Sequence, residues 1–125
     1  MLLQEYIDQF RRTLEKLQDF GLSEFFDFKQ EIRPGKRAVI NAKVVLVNET
    51  ILHIRAYINA KYKINIVSYA FQYQRKNGEL IFRYDNAAHK PALEFKEHKH
   101  LENGTIINAS APEPVNLIDE ILELF

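Results

Sequence analysis

The amino-acid sequence predicts an α+β fold, an antiparallel sheet of about five or six strands with an N-terminal and a C-terminal helix, in a single domain over residues 1–125. Three observations carry this reading. Apolar residues recur at spacings of three and four at both ends of the chain. They recur at every second position in between, and two Asn-Gly dipeptides punctuate that middle stretch.

The first helix rests on Leu3, Tyr6, Ile7, Phe10, Leu14 and Leu17, which share one stripe of an α-helix. Gly21 can take the left-handed conformation that stops a helix, so the helix closes near Phe20. The period then drops to two: Phe26 and Phe28 alternate with Asp27 and Lys29, and Arg33-Pro34-Gly35-Lys36 reads as a turn. Strands follow over Ala38 to Val47 and Ile51 to Asn59, with Asn48-Glu49 as the tight turn between them. Leu52, Ile54, Ala56 and Ile58 share one face of the second.

A further pair runs from Ile64 to Gln74 and from Glu79 to Asp85 around Asn77-Gly78, which fits a type I′ turn. Counting outward pairs Tyr73 with Phe82, Gln72 with Arg83 and Phe71 with Tyr84. The aromatic side of that hairpin is core. The side carrying Gln72, Gln74, Arg83 and Asp85 meets solvent or a ligand. Asn103-Gly104 suggests a last hairpin joining His98 to Leu101 with Thr105 to Ala109. Beyond Pro112 and Pro114, Asn116 reads as the N-cap of a helix whose apolar side is Leu117, Ile118, Ile121, Leu122 and Phe125.

Composition excludes several function classes. The chain has no cysteine, so a disulfide framework, a thiolate metal site and a thiol nucleophile are all ruled out. The opening MLLQEYIDQFRR carries charges within its first turns, unlike a signal peptide or a membrane span, so a cytoplasmic protein without a membrane partner is expected. No glycine-rich phosphate loop or serine nucleophile elbow is present. Net charge is zero, yet it is unevenly placed. Ile32 to His100 holds 13 Lys or Arg against five Asp or Glu, and the flanks hold four against 12. A basic middle between acidic ends suits a local phosphate-binding surface.

The stretch from Arg83 to His100 concentrates the reactive side chains. It holds Arg83, Asp85, Asn86, His89, Lys90, His98, Lys99 and His100. In one reading His89, His98 and His100, with Asp85, supply acid–base groups for RNA cleavage without metal or cofactor. Arg83, Lys99, Asn86 and Lys90 then contact the substrate. Imidazole suits the task because both its protonation states are available near neutral pH. In a second reading His98 and His100, two apart on one strand face, bind a divalent metal with Asp85 or His89. In a third, the histidines are ordinary surface residues and Asp85 pairs with Arg83 or caps the loop. His53, beside Arg55 and Tyr57, reads as a sheet-surface residue.

The run LIFRYDNAAHKPALEFKEHKHL resembles the TumE family of small toxins, whose members carry a strand ending in Arg-aromatic-Asp-Asn, a histidine-bearing loop and a His-Lys-His element. Arg83, Tyr84, Asp85, Asn86, His89, His98, Lys99 and His100 match that pattern. The resemblance implies the toxin of a two-gene toxin–antitoxin module, neutralised by a small helix-turn-helix antitoxin. RNA is the expected target, and a second copy of the chain is a further candidate partner for exposed edge strands. The chain departs from the pattern where His89 is followed by Lys90 and where Lys96-Glu97 precedes His98. Ala56 stands where relatives tend to have a glutamate before tyrosine. That last departure supports the alternative of a non-catalytic or degenerate protein that binds a small partner.

Overall fold

The computed structural model describes residues 1–88 and 92–125. The elements follow in the order α1 (Leu3–Asp19), β1 (Ser23–Arg33), β2 (Arg37–Leu46), β3 (Ile51–Asn59), β4 (Asn65–Gln74), β5 (Leu80–Asp85), β6 (His98–Leu101), β7 (Ile106–Asn108) and α2 (Pro114–Leu124). The seven strands form one antiparallel meander in sequence order, so the α+β expectation holds with a slightly larger sheet than five or six strands. Each strand pairs with its predecessor without a crossover, through tight turns at β1–β2, β2–β3, β4–β5 and β6–β7 and through longer connections at β3–β4 and β5–β6.

Both helices pack on one face of the sheet. Ile7, Phe10, Leu14 and Leu17 of α1, with Leu117, Ile118 and Ile121 of α2, meet Ile40, Val44, Leu52, Ile54, Phe71, Tyr73 and Phe82 in a single apolar cluster. Burying each of the larger side chains contributes on the order of 2 kcal/mol, which holds the helices to the sheet. Among the described residues, no helix covers the opposite face. There the alternation leaves Asn41, Lys43, His53, Arg55, Gln72 and Arg83 at the surface.

Two local expectations are corrected. The β4–β5 register is as counted, with Phe71 opposite Tyr84, Gln72 opposite Arg83 and Tyr73 opposite Phe82, but the turn is not type I′. Only Gly78 has positive φ (90°), Gly78 N–H donates to Arg75 O, and the register slips at Gln74 and Leu80. This is a three-residue loop closed by a bulge, in which Asn77 stays right-handed and its side chain accepts from Glu79 N–H at 3.0 Å. The second helix begins at Pro114 with Glu113 as N-cap, ahead of Asn116, because proline's fixed φ suits a first helical position and its missing N–H leaves nothing unpaired there.

Candidate functional site

The register aligns the polar residues into cross-strand rows. Asp27 lies opposite Lys43, Lys43 opposite His53, His53 opposite Gln72, Gln72 opposite Arg83, and Arg83 opposite His100. A second row runs from Lys29 through Asn41, Arg55, Ala70 and Asp85 to His98. Because opposed residues share a face, both rows lie on the side away from the helices. At the strand spacing of a sheet, Asp27 and His100 stand about 24 Å apart along the first row. An open groove of about 480 Å³ follows these rows, lined by Asp27, Lys29, Lys43, His53, Arg55, Gln72 and Arg83 among others. Its charged lining is basic apart from Asp27. Burial and the neighbouring Lys43 both lower the pKa of His53.

At its Arg83 end the groove adjoins a buried carboxylate, which Arg83 bonds. Asp85 Oδ1 lies 2.6 Å from His98 Nε2 and accepts from Ala87 N–H at 3.0 Å. Its Oδ2 accepts from Arg83 Nε at 2.7 Å and lies 3.3 Å from His100 Nε2. Two neighbours at each oxygen is the full complement a carboxylate can accept. Burial pushes the Asp85 pKa up, but Arg83's hydrogen bond, the Ala87 amide and the charge of His98 together hold it below its ordinary value. Arg83 also donates from Nη1 to Gln72 Oε1 at 2.8 Å, which ties the arginine to the groove wall.

Exposure separates the roles within this cluster. The side chains of Asp85 and His98 are only 3% and 1% exposed, whereas those of Arg83 and His100 are 37% and 21% exposed. Each ring nitrogen of His98 faces an oxygen, Asp85 Oδ1 on one side and Lys96 O at 3.2 Å on the other. The packing seals His98 from substrate, against the expectation that it would exchange protons with one. The accessible reactive surface is Arg83 with His100. Asp85 and His98 lie beneath it, with the His98 and His100 ring centres 5.0 Å apart.

Lys99 is separated from the cluster. It stands opposite Tyr84, on the helix side of the sheet, and its Nζ donates to Glu120 Oε2 of α2 at 2.6 Å. Tyr84 OH donates to the other Glu120 oxygen at 2.5 Å, and the ammonium lies 4.8 Å from the Tyr84 ring centre. Desolvation lowers the Lys99 pKa, but Glu120 and Tyr84 outweigh it and the net shift is upward. A phosphate contact on the groove face is therefore closed to Lys99. Asn86 is turned to β4, accepting from Tyr69 N–H at 3.2 Å and donating to Val67 O at 2.9 Å, so it fixes the loop. His89 and Lys90 lie outside the described residues.

Ala56 is fully buried in the core cluster on the helix side. The residue expected to mark a degenerate copy therefore lies across the sheet from the groove. His53, a sheet-surface residue by sequence, lies on that surface in the row that leads to Arg83. The signal was available once Gln72 was paired with Arg83, since one further step across the sheet reaches His53.

The donor atoms of Asp85, His98 and His100 all fall within 4.8 Å of one another, close enough to converge on a cation. Arg83 opposes this, because its guanidinium already occupies Asp85 Oδ2 and would face any metal charge directly.

A family model described as Toxin TumE matches residues 11–125, nearly the whole chain. The chain belongs to the Toxin TumE family. It is accordingly the toxin component of a toxin–antitoxin system, with an antitoxin as partner. No curated protein and no solved structure matches the chain. Among the described residues, no helix is long and apolar enough to cross a membrane.

Proposed function

We infer that this TumE-family toxin cleaves RNA on the groove face, with His100 as the proton-transfer group and Arg83 as the phosphate contact. The observation that carries the reading is a basic groove lined at one end by the Arg83 guanidinium, which one buried carboxylate holds beside the partly exposed His100 imidazole. Lys29, Lys43 and Arg55 supply charge along the RNA backbone. His100 removes the proton of a ribose 2′-hydroxyl, and that oxygen attacks the adjacent phosphorus. The 5′-oxygen leaves and takes a proton from water, giving a 2′,3′-cyclic phosphate and a 5′-hydroxyl, and the His100 imidazolium returns its proton to solvent. Arg83 balances the negative charge that grows on the phosphoryl oxygens. Asp85 and His98 position both groups. The requirement for a 2′-hydroxyl selects RNA over DNA. The antitoxin in this reading is a small helix-turn-helix protein that covers the same face.

Incubating purified toxin with total RNA, with and without a chelator, tests the reading. Chelator-resistant cuts with cyclic phosphate ends are expected, falling about 10²–10⁴-fold in His100→Ala. Chelator-sensitive cuts would favour the second reading, a divalent cation held by Asp85, His98 and His100. An absence of cuts would favour the non-catalytic alternative.

A further inference from the structure

β1 is one edge of the sheet, and its far half is exposed, with the Gln30 side chain tied to α1 through hydrogen bonds exchanged with Gln4. Lys29, Gln30, Glu31, Ile32 and Arg33 are all exposed, although α1 covers the same strand at Phe28, where the Phe10 and Phe28 rings lie 6.5 Å apart. An exposed strand of this length presents unpaired backbone groups to any strand that can match it. Its side chains alternate by face. Asp27, Lys29, Glu31 and Arg33 point to the groove side, and Phe28, Gln30 and Ile32 to the helix side.

We propose that β1 pairs antiparallel with β1 of a second copy, about a two-fold axis through Gln30. In that register Asp27 faces Arg33 of the second copy and Lys29 faces its Glu31, while on the other side Phe28 faces its Ile32. Every charge in the segment thus opposes its opposite, and the exposed Ile32 gains an aromatic neighbour. Adjacent registers fail. Moving the axis to Lys29 puts Lys29 against itself and Asp27 against Glu31, and moving it to Glu31 puts Glu31 against itself and Lys29 against Arg33. Within one chain the ion pairs of these charges are exposed and two residues apart, Asp27 with Lys29 at 3.6 Å and Glu31 with Arg33 at 3.2 Å, and both can re-pair across the axis; Arg33 also lies over the Tyr57 ring, 5.7 Å from its centre. Asp27 and Lys29 also line the groove, so the two grooves meet at the seam and each gains Glu31 and Arg33 of the other copy at that end. The interface goes beyond the RNA reading and does not depend on it.

The full chain is tested by mass measurement in solution and by cysteine linking, which is clean because the chain has no native cysteine. A dimer is expected, at least about tenfold weaker in Lys29→Glu, which sets like charges opposite each other twice, and restored in Lys29→Glu/Glu31→Lys. Gln30→Cys is expected to form a disulfide-linked dimer under mild oxidation, and Lys61→Cys, exposed in the connection between β3 and β4, is not. A folded monomer at high concentration, a dimer indifferent to Lys29→Glu, or linking no better at position 30 than at position 61 would overturn the proposal.

Discussion

Two polar networks sit back to back on β5 and β6, and they differ in what covers them. On the helix side Lys99, Tyr84 and Glu120 form a closed set, fastened by α2. On the groove side Arg83, Asp85, His98 and His100 form a graded one, with a buried carboxylate below and an accessible imidazole and guanidinium above. His98, Lys99 and His100 are consecutive in the chain, and the strand's period of two sends the middle one to the opposite side. A structural tie and a candidate catalytic centre can therefore share one tetrapeptide.

The largest expected effect breaks the groove network at its base. Asp85→Ala leaves His98 buried without its carboxylate and should destabilise the fold by about 3–5 kcal/mol, measured by denaturant unfolding. Glu120→Ala, its counterpart on the helix side, removes a partner whose side chain is 25% exposed and should cost about 1–2 kcal/mol while leaving growth inhibition intact in cells held at low temperature.

The pH profile of stability should divide between the two networks. The Asp85 pKa is lowered on folding, so its contribution is complete above the unfolded carboxylate range and lost as pH falls below about 4. The Lys99 and Tyr84 pKa values are raised on folding, so their contribution is complete below about pH 10 and lost as pH climbs further. Melting curves across pH should show the acid limb flattened in Asp85→Asn and the alkaline limb flattened in Glu120→Gln. The reverse pattern would mean that the networks were assigned to the wrong limbs.

The smallest effect concerns a turn that neither network touches. Glu49 holds a φ of 71° in the β2–β3 turn, a conformation that L side chains reach only with strain. Glu49→Gly should raise unfolding free energy by up to about 1 kcal/mol, since its ion pair with Lys76 is exposed and worth little.

Much of this arrangement was legible because a sheet has only two sides. Pairing Gln72 with Arg83 placed the arginine opposite the aromatic core before any coordinates, and the spacing of His98 and His100 put both rings together. The same rule, applied to Lys99, would have removed it from the phosphate contacts. What the sequence hides is depth. Nothing in the order His-Lys-His says that the backbone carbonyl of Lys96 closes on the His98 ring, or that Glu120, distant in the chain, arrives opposite Lys99. The Asn77-Gly78 turn type was missed for a related reason. A type I turn with a bulge and a type I′ turn both accept Asn-Gly, and the choice between them depends on a register slip further along the strands.

The most direct test compares neighbours on opposite sides of one strand. His100→Ala and Lys99→Met, the latter keeping an unbranched side chain where the Lys99 ammonium lies over the Phe82 and Tyr84 rings, are assayed side by side for cleavage of the same RNA, with folding checked by circular dichroism. The account predicts loss of cleavage in His100→Ala and near-normal cleavage in Lys99→Met. Retained cleavage in the first, or equal loss in a folded second, would contradict it.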